Sequence, residues 1–200
     1  KQVASHFGGT RNPMVVHWPK GIKAKGETRT QFHHVIDVVP TILEACKVPE
    51  PKVVNGITQK PIEGVSMLYS FDDANAKGRR TTQYFELATN RAIYHDGWMA
   101  CARTGLPWVG LGRTLEDMRA APWELYNVED DFSQADDLAA KMPDKLKELQ
   151  AKFLEEAKRF NVFPLDPRLS ERMDPSLRIA GERPTKWTYF GNNVWLPEPV

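Results

Sequence analysis

The chain has 200 residues, of which 41% are hydrophobic and 26% are charged, so it can bury the core of one medium-sized domain. Its 27 Lys and Arg residues nearly balance 26 Asp and Glu residues, and the net charge of +1 argues against nucleic acid or an anionic membrane as a partner. No segment approaches the roughly 20 apolar residues that cross a bilayer, so no membrane partner is predicted.

The chain opens with charged and glycine-rich residues that lead into an apolar run. Lys1 and His6 stand just before Gly8, Gly9 and an arginine. Paired glycines allow a tight turn or a close approach of the backbone to a ligand. The β-branched run at 14–18 lies between two prolines and predicts a buried strand. We therefore expect an active-site loop that feeds a core strand, the alternative being an ordinary loop with solvated side chains.

Residues 29–47 predict a helix that packs one face on a sheet, with a kink or a join between two helical pieces at Pro40. The apolar positions recur at helical spacing: Phe32, Val35, Ile36, Val39, Ile42 and Leu43. His33 and His34 invite a metal interpretation, but neighbours on a helix point about 100° apart and no third ligand follows at helical spacing. The sequence favours a structural helix.

Turn-forming residues dominate 48–66 and predict an ordered surface loop. Ser66 lacks the glycine two residues later that a nucleophile elbow requires, so it is not predicted to be a hydrolase nucleophile. The charged stretch 72–80 is predicted to be exposed and to mark a boundary. Its Asp72-Asp73 pair, like the later pair at 130–131, is read as exposed rather than as a metal site.

The second half changes to short strands and one long helix. Residues 82–87 and 91–101 alternate and predict an antiparallel hairpin, with a tight turn or bulge at Asp96-Gly97 and a third strand at 123–127. A helix is predicted from Pro143 to Phe160, with Asn161 just beyond its end. We expect residues 162–200 to wrap back over the body, because they contain aromatic side chains that need cover.

The isolated cysteines and histidines predict structural roles. Cys46 and Cys101 are too few for a disulfide framework or a zinc site and are expected to be buried or half-buried. His17 and His95 lie within strand-like runs and are expected to be structural.

Three sequence blocks, in order, resemble the C-terminal part of sulfatases, in particular bacterial arylsulfatases. The first is the lysine, then Gly-Gly-Thr-Arg-Asn-Pro and an apolar run ending in Trp-Pro, and the next is Asp-Val-Val-Pro-Thr-Ile-Leu at 37–43. The third comprises Asn-Arg-Ala-Ile-Tyr-His-Asp-Gly-Trp at 90–98 and Trp-Glu-Leu-Tyr-Asn-Val-Glu-Asp-Asp at 123–131.

The resemblance implies an α/β fold in two parts. Residues 1–75 would be the C-terminal portion of an alkaline-phosphatase-like catalytic domain. Residues 80–166 would form a small α+β unit, an antiparallel sheet with a packed helix, and 167–200 an extended tail. In this arrangement Asp37 would be a structural residue.

The resemblance also implies a chemistry, in which Lys1 is the catalytic lysine that contacts the sulfate and His6 is a substrate-pocket residue. The nucleophile, a formylglycine in a Cys/Ser-x-Pro-x-Arg motif, and a divalent cation, usually calcium, would belong to an upstream N-terminal catalytic half. That motif does not occur here, so no metal ligand is assigned in this chain and the piece alone is expected to be inactive. The partners would be a small sulfate ester and the upstream half, and secretion or a periplasmic location is common for such enzymes.

Two rival interpretations remain open from sequence. The parent could be a phosphodiesterase, phosphonate hydrolase or phosphatase of the same superfamily, distinguished by its upstream nucleophile. The piece could instead be a non-catalytic binding or assembly module, which concentration-dependent association would favour.

Overall fold

A computed structural model describes residues 5–106, 114–165, 187–189 and 195–197. Its helices are α1 (Phe7–Thr10), α2 (Val38–Cys46), α3 (Leu115–Ala120) and α4 (Pro143–Arg159). Its strands are β1 (Val53–Val54), β2 (Ile57–Thr58), β3 (Thr82–Leu87), β4 (Asn90–His95), β5 (Trp98–Ala102), β6 (Trp123–Asn127), β7 (Trp187–Tyr189) and β8 (Trp195–Pro197). The predicted mixed α/β class, with an antiparallel sheet and a packed helix, is confirmed.

The predicted strand at 14–18 is wrong for this chain. The segment has no regular secondary structure, and Val15 is 93% exposed. A strand needs a neighbour to receive its backbone hydrogen bonds, and no described strand pairs with this segment. The apolar pattern is present in the sequence without the sheet that would bury it.

The helix predicted at 29–47 is shorter than expected. A 3-10 turn over Val35–Asp37 leads into α2, which ends where Lys47 adopts a left-handed conformation with φ 56°. Pro40 is the third residue of α2, where its missing N–H costs no intrahelical bond. The predicted join therefore lies at Asp37, just before the proline.

The apolar face of α2 is also not covered as predicted. Val39 and Ile42 are 51% and 55% exposed, and Val35 in the preceding turn is 74% exposed. Phe32 does reach the sheet, where its ring stacks on Tyr94 at a centroid distance of 3.6 Å. Most of the predicted stripe thus faces outward in the described residues.

The predicted surface loop at 48–66 contains a small hairpin. Strands β1 and β2 pair in an antiparallel manner around Asn55 and Gly56, whose φ angles are 50° and 79°. These left-handed angles at both central positions favour asparagine and glycine.

The four-stranded sheet follows the chain in the order β3-β4-β5-β6, with each strand antiparallel to the next. The run predicted at 91–101 is two strands, because Asp96 and Gly97 form a complete hairpin turn with φ angles of 43° and 79°. The first predicted hairpin is confirmed, and its turn is Ala88-Thr89.

Alternation along these strands gives the sheet two buried faces. One face packs on α4, where Ile93, Ala100 and Leu125 of the sheet meet Leu149, Phe153 and Ala157 of the helix. The other contains Ala92, Met99, Cys101 and Tyr126, with Phe7 and Phe85 packed against them. The predicted helix is confirmed as α4, with Pro143 in its first turn and Asn161 at φ 55° after its end. The sheet therefore separates α4 from the start of the chain.

Arg80 contradicts the prediction that 72–80 is exposed throughout. Its side chain is only 8% exposed and pairs with the fully buried carboxylate of Asp37. The Arg80 Nε atom lies 2.9 and 3.0 Å from the two carboxylate oxygens. Asp37 also accepts hydrogen bonds from the backbone N–H groups of Val65 and His34 at 2.7 and 2.9 Å. This ion pair joins the α2 region to the residues entering the sheet.

The remaining expectations concern the two cysteines, the C-terminal tail and membrane-spanning segments. Cys101 is buried as predicted, but Cys46 is exposed near the end of α2, where the outward face of the helix lacks cover. Strands β7 and β8 pair with each other, and the prediction that the tail wraps back over the body otherwise falls outside the described residues. None of the described helices is long and apolar enough to span a bilayer.

Candidate functional site

The candidate site is the start of the described chain, where residues 5–7 are attached to the four-stranded sheet. Lys1 itself lies outside the described residues, so its role as the sulfate-contacting lysine stays a prediction. His6 is described and is only 1% exposed. What the structure shows is how the segment that follows Lys1 is attached.

Both ring nitrogens of His6 have hydrogen-bond partners. Nδ1 lies 2.9 Å from the Ser5 hydroxyl, and Nε2 lies 2.6 Å from Oε2 of Glu124 on β6. A short contact between an imidazole and a carboxylate fixes the orientation of the ring. In the described residues His6 therefore anchors the segment, and its predicted contact with substrate is a separate expectation that remains open.

Glu124 is held in turn by Tyr126, which lies two residues later on the same face of β6. The Tyr126 hydroxyl donates to Oε2 of Glu124 at 2.6 Å. Burial raises the pKa of Tyr126, and its hydrogen bond to the carboxylate raises it further. Tyr126 consequently stays protonated and remains a donor throughout the physiological range.

A second attachment comes from Gln134. Its side-chain oxygen accepts a hydrogen bond from the backbone N–H of Phe7 at 2.7 Å. Its amide nitrogen lies 3.5 Å from Sδ of Met99 and 3.7 Å from Sγ of Cys101 on the sheet. Residues 5–7 are thus fixed to the sheet through two side chains that approach from different segments.

The glycine pair forms the turn that follows this attachment. In α1, the carbonyl oxygen of His6 accepts hydrogen bonds from the N–H groups of Gly9 and Thr10 at 2.9 and 3.0 Å. The guanidinium of Arg11 then lies 4.0 Å from the ring centroid of Phe132. The predicted tight turn is present, as a single helical turn.

Sequence reasoning missed Glu124 and Gln134. Glu124 carried a usable signal, because the alternation of β6 puts it on the same face as the aromatic Tyr126, and a carboxylate on a buried face requires a partner. Gln134 gave no comparable signal, since it lies in an irregular segment at φ 54°.

The two neighbouring histidines do not form a shared site. Burial lowers the pKa of both His33 and His34, so they are neutral at pH 7. The ring of His33 contacts Tyr69 and that of His34 contacts Phe85. Their rings therefore pack against different aromatic neighbours.

In each of the two acidic pairs, at 72–73 and 130–131, a carboxylate accepts hydrogen bonds from nearby backbone N–H groups. Asp72 accepts from the N–H groups of Lys23 and Ala24 at 2.7 and 3.2 Å, and Asp131 accepts from Asp136 at 2.9 Å. Within 5–106 and 114–165, no three His, Cys, Asp or Glu side chains are grouped so that they could hold a metal ion. The calcium ion predicted from the resemblance therefore stays a prediction that concerns the upstream half.

The other singled-out residues have local roles. The hydroxyl of Ser66 accepts a hydrogen bond from the N–H of Leu68 at 3.2 Å, as in a turn. His95 lies 2.8 Å from the hydroxyl of its cross-strand partner Thr82, which agrees with a structural role, whereas His17 is exposed in the irregular segment.

Comparisons with known proteins agree with the sequence resemblance. Residues 6–99 match the family described as N-sulphoglucosamine sulphohydrolase, C-terminal. Two solved structures are similar over most of this chain. One is a Bacteroides thetaiotaomicron protein designated 6S-sulf from work on glycosaminoglycan metabolism, with a TM-score of 0.55 and 21% identity over 78% of this chain. The other is BT4656, solved in complex with its substrate D-glucosamine-2-N,6-O-disulfate, with a TM-score of 0.50 and 19% identity over 74% of this chain.

The chain spans 31% and 28% of the length of these two structures. The family match includes the glycine turn, α2 and the first strands of the sheet, and the two structures show the same fold. The resemblance to the C-terminal part of sulfatases is confirmed at that level, and the arylsulfatase type stays a prediction.

Proposed function

We propose, from its place as the C-terminal part of a sulfatase, that this chain completes the active site of a sulfuric ester hydrolase acting on aryl or similar sulfate esters. The chain's own contribution would be Lys1, which would hold a sulfate oxygen as negative charge develops during cleavage. Cations aimed at such oxygens supply a large part of the rate enhancement in transfers of this kind.

The observation that supports this proposal is the attachment of residues 5–7 to the sheet. Ser5 and His6 are 0% and 1% exposed, and His6 is bound to Glu124 at 2.6 Å. Four residues of chain span at most about 14 Å, so Lys1 cannot lie farther than that from a fixed point. A lysine held on so short a tether loses less conformational entropy when it binds a sulfate.

The nucleophile and metal are proposed to come from the upstream half of the parent. The formylglycine would supply the attacking oxygen, and a divalent cation, proposed to be calcium, would bind the sulfate oxygens when present. No three His, Cys, Asp or Glu side chains of the described residues are grouped so that they could hold the metal, and the role proposed for this chain rests on Lys1 and on the attachment of residues 5–7.

Sulfated amino sugars are a second candidate substrate class. The matched family is described as an N-sulphoglucosamine sulphohydrolase, and one similar structure contains a disulfated glucosamine. A phosphoryl hydrolase of the same superfamily and a non-catalytic assembly module are the competing hypotheses.

The test uses the full-length parent protein. Its hydrolysis of 4-nitrophenyl sulfate, 4-nitrophenyl phosphate, a phosphonate monoester and glucosamine 6-sulfate would be compared, and the upstream nucleophile peptide would be examined by mass spectrometry. We expect an aldehyde at that peptide and preference for a sulfate ester. An unmodified threonine with preference for a phosphoryl substrate would overturn the proposal.

Lys1→Ala tests the assigned residue, and Lys25→Ala is the matched control because Lys25 is exposed. Loss of one group that stabilises developing oxyanion charge lowers kcat by about 100- to 1,000-fold. We expect that loss for Lys1→Ala and no change for Lys25→Ala. Equal activity of the two variants would show that Lys1 is not catalytic, and turnover by the separate 200-residue chain would show that it needs no upstream nucleophile.

A further inference from the structure

A small cavity lies on the α4 side of the sheet, between β4, β6, α4 and the segment that follows α4. Its volume is about 260 Å³. Its apolar walls come from Trp123, Phe153, Phe163 and Leu165, and its polar groups come from Arg91 and Gln150. No acidic side chain of the described residues lines this cavity.

Arg91 is the unusual member of this lining. It is only 9% exposed, and one guanidinium nitrogen donates to the carbonyl oxygen of Met118 at 2.8 Å. Its Nε atom is buried and has no hydrogen-bond partner among the described residues. The guanidinium also faces the ring of Trp123, with its central carbon 5.4 Å from the ring centroid.

No carboxylate of the described residues forms an ion pair with Arg91. The nearest by strand register is Glu86, which lies opposite Arg91 on β3. Oε1 of Glu86 instead accepts the N–H of Thr89 at 2.8 Å, in the hairpin turn. The charge of Arg91 is therefore incompletely compensated within the described fold.

A buried guanidinium is costly unless it is paired and its donors are used. Burial lowers the pKa of Arg91, yet an arginine remains protonated in proteins at pH 7. The planar fork of a guanidinium matches the two oxygens of a carboxylate. An anion entering the cavity, which Arg91 lines, would neutralise part of this buried charge.

We propose that this cavity binds a small organic carboxylate, with its anionic group on Arg91 and its apolar body against Trp123 and Phe163. The volume is just below the range of about 300–1,000 Å³ typical of ligand pockets, which limits the ligand to roughly one ring. Gln150 at the rim supplies a further polar group for a substituent.

This cavity lies on the opposite face of the sheet from His6. Successive side chains of a strand point to opposite faces, so Trp123 and Leu125 face α4 while Glu124 and Tyr126 face His6. This placement agrees with the packing of Leu125 and Tyr126 in different apolar clusters. The binding proposed here is independent of the proposed sulfatase activity and would survive its failure.

The test uses full-length protein labelled with 5-fluorotryptophan and observed by ¹⁹F NMR, with Trp123→Phe to assign the resonance of Trp123. Benzoate is the probe, and benzyl alcohol is its neutral control. A hydrogen bond to a charged group contributes about 1.5–3 kcal/mol, which corresponds to at least a tenfold change in affinity. We expect benzoate to shift the Trp123 resonance and to bind at least tenfold more tightly than benzyl alcohol.

Arg91→Gln should abolish that preference, whereas Arg159→Gln should preserve it. Arg159 is a suitable control because its side chain is 59% exposed and it does not line the cavity. Equal affinity for benzoate and benzyl alcohol in the unaltered protein, or a preference that persists in folded Arg91→Gln, would overturn the proposal. The comparison of the two probes needs no variant, so it decides the question even if Arg91→Gln does not fold.

Discussion

The ion pair between Asp37 and Arg80 gives the sharpest test of how the α2 region is joined to the residues that enter the sheet. Arg80→Met removes the guanidinium while keeping much of the aliphatic side chain. Asp37 is completely buried, so the substitution leaves a carboxylate without its cationic partner. Breaking a buried pair in this way costs about 3–5 kcal/mol. We expect the lower end of this range, because the backbone N–H groups of Val65 and His34 still donate to Asp37.

The effect should depend on pH in a defined direction. Burial raises the pKa of Asp37, but hydrogen bonds from Arg80 and from the backbone of Val65 and His34 outweigh it, and the pKa is lowered overall. A carboxyl group whose pKa is lower in the folded state stabilises the fold fully above its unfolded pKa of about 3.9. This stabilisation is lost as the pH falls through the lower folded value. The difference between the variant and the unaltered chain should therefore be largest at neutral pH and should shrink in acid.

Urea unfolding of the 200-residue chain, followed by tryptophan fluorescence, measures this difference at neutral pH and at about pH 3, below the reference pKa. The expected loss of about 3 kcal/mol corresponds to a decrease in Tm of about 6–12 °C for a domain of this size. Arg79→Met is the matched control, since Arg79 is exposed and its guanidinium lies over Tyr69. The reasoning would be refuted if both variants lost equal stability, or if the loss for Arg80→Met did not change with pH.

Three further predictions concern local features. Gly64→Ala should cost about 1–3 kcal/mol, because its Cβ would overlap the carbonyl oxygen of Ile36 and lie 2.8 Å from Cγ of Pro40. Gly78→Ala should change stability by less than about 1 kcal/mol, since nothing lies within 4 Å of its Cβ; equal urea midpoints for the two variants would contradict this difference. A thiol reagent should modify Cys46 in the folded chain and Cys101 only after unfolding, since only Cys46 is exposed; rapid loss of both thiols under native conditions would show that the face bearing Cys101 is open. Glu124→Gln should lower the free energy of unfolding by about 1–3 kcal/mol, because it replaces the charged acceptor of His6 and Tyr126. If Lys1 is catalytic, Glu124→Gln should also lower kcat/KM of the parent protein more than the control Glu116→Gln, since Glu116 is exposed.

The sequence predicted the second half of the fold well because its elements bury their own apolar faces. Strands β3 and β6 and helix α4 follow periods that match their packing, and Pro143 and Asn161 mark the ends of α4. The main uncertainty there was the run at 91–101, where the tight turn predicted as one alternative at Asp96-Gly97 divides β4 from β5. It arose because Asp96-Gly97 fits either a bulge or a complete hairpin turn.

The first half was predicted less well because its pattern and its packing disagree. The run at 14–18 and the outward positions of α2 are apolar, yet Val15 and Val35 are exposed in the described chain. Periodicity indicates which face is suited to burial, and it does not identify the element that provides the cover. Cys46 is exposed, although free cysteine is among the residue types most often buried.

Long-range polar contacts were beyond sequence reasoning. Asp37 and Arg80 are 43 residues apart, and His6 and Glu124 are 118 residues apart. A charged side chain in a charged stretch, such as Arg80, gives no signal that it is buried. The acidic residue of β6 could have been flagged by strand alternation, but its partner could not have been identified without the fold.

The connections within the four-stranded sheet limit how the chain can change in length. Two are tight hairpin turns centred on Ala88-Thr89 and Asp96-Gly97, and an added residue in either would shift the register and move side chains to the opposite face. The third connection runs from 103 to 122 and includes α3. A longer connection absorbs extra residues at an entropic cost of only about 0.6 kcal/mol for each doubling of its length. Insertions can therefore be accommodated between β5 and β6 while preserving the sheet, and a peptide tag introduced there would disturb the strand register less than one in either hairpin turn.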